Sequence, residues 1–554
     1  MKMQLWRLIM RNFFALVVGL GGAWVANAQL GRAIDVWTYG GDAQRTGFVK
    51  TDGRFTKDDV KNFQMVWKVK LEDQPKGLRS LTPPAMIGIL ISYRGFKELA
   101  FVGGSSDNFY AINSDVGKLF FHRPLTYSSE IPKIGEASGP CGGAVTVMAM
   151  LKPNATSGGG RGRGPGGPPP PPPASLAARG GAGGFGGSRP VWVLSSDGRL
   201  HWLNTANGDD SGTPVKFLPP NARASSLNMA DNVIYTTTNQ GCGGVPNAVW
   251  AIDLNGSEGV VKSFASNGGG FWGIGGVALG ADGTVYAQTG DGPLDPASHK
   301  WSHTLLALNA KDLTLKQYFT PPNPASAAGK NVGMNSTTPL VFTYKGRETI
   351  VASGNGRLYL LDGQAVGGSD HHTFLSRTAP VADTGSTDHG IWGGLSTWED
   401  ADGTRWVLAP VWGPVSADLR PAASNGGAPN GAIVAFKVEE QDGKPVLTPA
   451  WVSRDMSSPE PPAIANGVVF AVSAGEYTRQ VKESWGGYTA DERPKTAAHA
   501  TLYALDAVTG KELFSSKNSI TAPAALTGLT FANGRVFFGA TDSTFYAFGL
   551  YMEH

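Results

Sequence analysis

The chain has 554 residues, 41% of them hydrophobic and 16% charged, with 76 glycines and a formal net charge of +3. That length calls for several domains or one large repetitive one, and the charged share falls well below the roughly 25% of an average globular protein. Near-neutrality without a basic stripe excludes nucleic acid as the expected partner, and abundant glycine points to short strands joined by tight turns rather than long helices.

The chain opens on a basic stretch, MKMQLWRLIMR, followed by the apolar run NFFALVVGLGGAWV and the small residues Ala26-Asn27-Ala28. This order of basic, apolar and small is that of a secretory signal peptide, residues 1–28, cleaved after Ala28. No Cys follows the cleavage site, and no later segment holds the ~18 unbroken apolar residues of a membrane span. The expectation is a periplasmic or secreted protein that does not span the membrane, with residues 29–554 forming one domain. The Cys count is two, Cys141 and Cys242, in the similar settings GPCGG and QGCGG. Export permits a disulfide between them, and the lack of any Cys-x-x-Cys-His run excludes covalent haem.

From residue 99 onward one phrase recurs: an apolar strand, a turn, a second strand, a Gly turn and a third strand. It appears at 99–121, 191–208, 233–256, 285–319, 349–368, 406–443, 468–514 and 536–549. Its clearest copies are NFYAINSDVGKLFF (108–121) and TLYALDAVTGKELF (501–514), and the closest spacing, Ala504 to Ala547, is 43 residues. Alternating strands at this period are the mark of β-propeller blades of four strands each. The reading is an all-β, eight-bladed β-propeller. Its last copy stops after the third strand, and FQMVWKVKL (63–71) is a spare strand near the start. Pairing of that N-terminal strand with the C-terminal blade would close the ring.

With strands lettered A to D from the axis outward, the D–A and B–C loops share one face. The long loops 237–248, 288–303, 412–431 and 475–499 fall there, as do the segments SNGGGFWGIGG and STDHGIWGGLS and both cysteines. The Gly/Pro-rich insert 154–187 leaves from an A–B hairpin on the opposite face and reads as disordered or polyproline.

The phrase ALDAVTGKELF, with Ala504, Asp506, Gly510 and Phe514, resembles the blade-docking motif of the quinoproteins, the pyrroloquinoline quinone (PQQ) dehydrogenases. WTYGGDAQRTGF, FWGIGGVALGADGTVYAQTGDGP and ASHKWSHTLLALNAKDL resemble further stretches of that family in the same order. The resemblance implies PQQ stacked on a Trp over the central channel, Ca²⁺ held by Glu, Asn and Asp oxygens, and an Asp that takes the alcohol proton. On this chain the position of the Ca²⁺-binding Asn carries Asp291. The segment 239–247, where the Glu should fall, has no acid. The position of the catalytic Asp falls near Ser298-His299, which makes His299 the candidate base. Trp272 and Trp392, each flanked by glycines, are candidate stacking surfaces or inter-blade packing residues. Asp370-His371-His372 and Asp388-His389 add acids and imidazoles without a compact metal spacing.

Two functions follow. One is a binding or scaffolding propeller with a degenerate PQQ and calcium site, similar to the periplasmic outer-membrane assembly factor that shares this repeat. The other is a divergent PQQ-dependent alcohol or sugar dehydrogenase, with Asp291 holding the metal. Either places a small cofactor, or a protein or glycan partner, on the long-loop face.

Overall fold

The computed structural model describes residues 33–551, apart from 74–80, 93, 105–106, 126–146, 151–189, 257, 323–334, 385–388, 477–491, 493–494, 496 and 525–526. The expected signal peptide, Cys141 and the Gly/Pro-rich insert therefore lie outside the described residues. The described chain forms eight sheets. In blades 1 to 7 consecutive strands pair antiparallel from the axis outward, at 85–124, 147–216, 228–265, 278–319, 340–377, 396–452 and 463–515. Blade 8 takes its three inner strands from 529–549 and its outer strand from Gln64–Lys70, which pairs antiparallel with Thr544–Gly549. The eight sequence repeats thus correspond to the eight sheets, and the spare strand finds the partner its pattern required.

Each blade is apolar on both faces because it is packed on both sides. Separate clusters of buried side chains tie every blade to the next. Leu99, Trp192, Leu203 and Ile234 join blades 1 to 3, Val249 and Leu306 blades 3 and 4, and Tyr286 and Ile350 blades 4 and 5. Leu360 with Val434, Leu408 with Val469, and Phe470 with Phe538 carry the ring onward to blade 8. Met86 and Ala100 meet Phe537 and Ala547 between blades 8 and 1.

The repeated Gly turn explains itself in this packing. Gly510 has φ +71°, and a Cβ there would stand 2.5 Å from Trp451 of the preceding blade. The Trp451 Nε1 donates to the Ala507 carbonyl at 3.1 Å in the same turn. Trp67 of blade 8 sits the same way on Gly117 of blade 1, its Nε1 donating to Ser114 O at 2.9 Å. The 501–514 copy is therefore half of two joints: Gly510 receives the aromatic of the blade before, and Phe514 turns toward Phe63, beside blade 8.

The channel of the ring is not open. An N-terminal arm, residues 34–49, fills it. Val36 pairs antiparallel with Met86 on the inner strand of blade 1. The Ile34 amide and carbonyl bond the Asn533 side chain of blade 8. The Tyr39 ring reaches Gly275, Gly394 and Gly528, and the chain then reverses over Gly40–Gly41. On the way back the carbonyls of Ala43, Gln44, Thr46 and Gly47 accept from Leu279, Val341, Thr397 and Ile464, one amide from each of blades 4 to 7. Phe48–Val49 then runs parallel to Ile464–Ala465. Inner strands otherwise present unpaired edges to the axis, and the arm satisfies them.

Arg45 anchors the turn. It is 2% exposed, and its five N–H groups all bond oxygens: Nε to Val277 O at 3.0 Å, Nη1 to Thr38 Oγ1 at 2.7 Å and Tyr39 O at 2.5 Å, and Nη2 to Leu227 O at 3.1 Å and Gly275 O at 2.6 Å. Burial lowers its pKa to about 9, which leaves it charged at neutral pH.

Candidate functional site

The face carrying the D–A and B–C loops brings several sequence candidates together around blade 4. The segment Ser266–Gly276 leads into its inner strand. The Gly268–Gly270 strap lies so close to its neighbours that a Cβ on Gly269 would stand 2.2 Å from Gly290 O. Glycine is required there because two backbones touch. The strap delivers Trp272, 9% exposed, against Gly290. Beside it stands Asn239, from the B–C loop of blade 3, whose Nδ2 donates to Phe271 O at 2.8 Å.

Asp291 leaves the second strand of blade 4 directly after Gly290, and its side chain is buried. Its Oδ1 lies 3.1 Å from Nε2 of His303, whose own amide bonds Gly290 O at 2.8 Å. A carboxylate accepts, so the Nε2–H of His303 donates to Asp291 and Nδ1 is left as the basic nitrogen. The Oδ2 of Asp291, the Oδ1 of Asn239 and the Nε1 of Trp272 are all buried and have no hydrogen-bond partner among the described residues.

His299 does not join them. The short 3-10 turn Pro296–Ser298 ends on His299 in the left-handed region, φ 55°, and its side chain faces solvent. The turn carries the chain outward at His299 and back at His303, so the imidazole in the site is His303, a residue that the comparison with the family's Asp passes over. Trp392 is 3% exposed and stacked 4.6 Å from Trp412, which makes it a packing residue of blade 6. His371 stacks on Tyr318 and His372 bonds Thr320 O, while Asp370 caps the turn through the His372 and Thr373 amides. That cluster is structural. Cys242 is buried in the blade 3 loop, and Asp388, like Cys141, lies outside the described residues.

A second arrangement has the distances of a catalytic triad. Ser195 Oγ is 3.0 Å from His201 Nε2, and His201 Nδ1 is 3.1 Å from Asp210 Oδ1. The same hydroxyl also meets Asp197 Oδ1 at 2.5 Å and Arg199 O at 3.1 Å, and His201 is 0% exposed. A hydroxyl shared with a second carboxylate and an imidazole sealed from solvent make this a structural network of blade 2.

Among the described residues no three His, Cys, Asp or Glu side chains form a metal cluster. The donors that remain are oxygens. Asp291 Oδ2 and Asn239 Oδ1 suit an oxygen-seeking cation such as Ca²⁺, with an amide in the segment where a Glu was expected and a carboxylate where an Asn was expected. Both are oxygens, the donor type that such an ion takes. No helix among the described residues is long and apolar enough to cross a membrane.

Neither a protein-family model nor a curated protein matches the sequence. Solved structures do match in fold. A quinohemoprotein alcohol dehydrogenase from Comamonas testosteroni superposes with TM-score 0.54 at 14% identity, over 95% of this chain and 82% of that one. A second quinohemoprotein alcohol dehydrogenase, from Pseudomonas putida HK5, gives 0.51 at 13%, over 93% and 80%. A europium-containing methanol dehydrogenase gives 0.53 at 10%, over 93% of this chain and 98% of that one. The fold expected from the repeats is therefore shared with quinoprotein dehydrogenases over nearly the whole described chain.

Proposed function

We propose that this protein is an exported ligand-binding propeller whose site lies at Asp291, Asn239, Trp272 and His303 and takes a Ca²⁺-like cation together with a flat, polar, PQQ-type molecule. The observation that carries the reading is the buried Asp291 carboxylate, with one oxygen on His303 and the other unsatisfied. Leaving a buried carboxylate oxygen bare costs on the order of 1–3 kcal/mol, a cost that a bound cation removes. Asp291 and Asn239 would hold the ion, and the Trp272 indole would carry the planar ring. When bound, the cation polarises a ligand oxygen as a Lewis acid. His303 orients Asp291 from behind and keeps a proton-accepting Nδ1. The departures from the family's pattern, above all the missing Glu, favour binding over turnover.

A second reading, a divergent PQQ-dependent alcohol or sugar dehydrogenase, is favoured by one feature. An imidazole that gives one N–H to a carboxylate keeps its other nitrogen for a proton, so His303 would fill the role that the absent Asp leaves vacant. A disulfide between Cys242 and Cys141 belongs to either reading; Cys242 is buried and is not a free thiol. The deciding experiment is a titration of the mature protein with PQQ and Ca²⁺, followed by quinone absorbance and tryptophan quenching. Saturable, Ca²⁺-dependent binding lost in Asp291→Ala supports the site. Turnover of alcohols with a dye acceptor would select the dehydrogenase. No binding with or without metal would leave a scaffold.

A further inference from the structure

The residue beneath the site that does most to fix its shape does not touch it. The Trp272 segment is held to the ring by several inner-face ties. Ile274 N donates to Gly393 O at 3.2 Å, Gly275 N to Thr338 Oγ1 at 2.9 Å, and Gly275 O and Val277 O accept from Arg45. Arg45 at the same time holds Leu227 O of the segment leading into blade 3, the blade whose second loop presents Asn239. Thr38 closes the arrangement, donating to Leu227 O at 2.5 Å while accepting from Arg45. Arg45 thus adds to the direct bonds from Ser226 N to Ile274 O at 3.2 Å and from Asn228 Nδ2 to Val277 O at 3.0 Å in setting blade 3 against blade 4.

We propose that Arg45 is a positioning residue for the ligand site. In this role the N-terminal arm is an axle that fixes the Asn239–Trp272–Asp291 geometry from inside the channel. The inference rests on the reading that this site binds a ligand. Arg suits the role because a guanidinium reaches several carbonyls in a fixed fork, whereas an ammonium offers three donors from a point. The coupling is reciprocal by necessity: if a docked arm favours the ligand, a bound ligand favours the docked arm.

The test uses the full mature chain and Arg45→Lys, with PQQ and Ca²⁺ as probe and hydrogen exchange as second readout. Thr38→Val is a milder variant should Arg45→Lys fail to fold. Val434→Ala, in the core between blades 5 and 6, serves as a control that loses stability elsewhere. The expected result is faster exchange confined to the arm, the blade 3 entry and 272–277, binding about tenfold weaker, and no change in affinity for the control. In the wild type, added PQQ and Ca²⁺ should slow exchange at Thr46 and Gly47. Unchanged affinity and exchange in the Arg45 and Thr38 variants would overturn the proposal, as would loosening spread evenly over all blades. If the wild type takes up no PQQ, the ligand reading fails on its own. Exchange then decides alone: local loosening upholds the positioning, and unchanged exchange overturns it.

Discussion

His303 Nε2 stands 3.1 Å from Asp291 Oδ1, across the mouth of the blade 4 loop, while the other Asp291 oxygen is buried without a donor. The two residues are twelve positions apart and meet because the intervening loop folds back at the left-handed His299. Asp291→Asn keeps the shape and removes the charge, so Ca²⁺ affinity should be lost by isothermal titration. His303→Ala removes only the brace and should weaken Ca²⁺ by about 10–100-fold. If the two variants lost affinity equally, His303 would be a direct ligand, and if neither did, the cation would sit elsewhere.

The two candidate tryptophans separate in the same assay. Trp392 is packed on Trp412, whose Nε1 donates to Pro459 O at 2.9 Å. Trp392→Phe should therefore lower the melting temperature and leave PQQ binding unchanged. Trp272→Phe should weaken binding while lowering stability less, because Trp272 is 9% exposed at the face whereas Trp392 is 3% exposed. Equal effects of both on binding would place the ligand across the ring axis, not over blade 4.

The Gly turns offer a measurement of the joint between blades. Gly443 and Gly510 share φ near +70° (+74° and +71°), but nothing lies within 4 Å of a Cβ at Gly443, whereas Trp451 fills that space at Gly510. Gly443→Ala should cost about 1–2 kcal/mol from backbone conformation alone. Gly510→Ala should cost a further ~1–3 kcal/mol for overpacking against Trp451. Denaturant unfolding of the two variants checks the difference. Equal costs would mean that the aromatic yields freely and does not lock the blades.

The ring was legible in the sequence because a blade is a local object: its strands alternate, its turns need glycine, and each copy repeats both demands. The spare strand at 63–71 could be assigned for the same reason, since a blade lacking one strand has a countable deficit. The arm could not be read this way. Residues 34–49 carry no period, and their partners are amides of blades 4 to 7, hundreds of residues away, that come together only once the ring exists. Arg45 in DAQRTGF looks like any polar loop residue until its five acceptors are in place. At the site, the resemblance put the candidate base at His299, which lies on the surface, while the imidazole bonded to Asp291 is His303, four positions on. The pairing of Gly510 with Trp451, where the motif suggests Phe514, is likewise a property of neighbours in the ring and not of one repeat.

His201 gives the structure a stability dependence on pH. It is wholly buried in blade 2 between Ser195 and Asp210, and burial lowers its pKa, against which Asp210, Asp197 and Asp107 pull upward. A His whose folded pKa is lowered is held neutral, so the unfolded chain takes up the proton first as pH falls through about 6.5. Its contribution is complete above that pH and is lost progressively below it. Thermal melts from pH 8 to pH 5 should therefore show a falling midpoint whose slope is smaller in His201→Gln, a neutral residue that still bonds both neighbours. Were the slopes the same, or the wild type steadier at pH 5 than at pH 8, His201 would be held as the imidazolium by its carboxylates, and the Ser195–His201–Asp210 network would be an ion pair instead of a neutral relay.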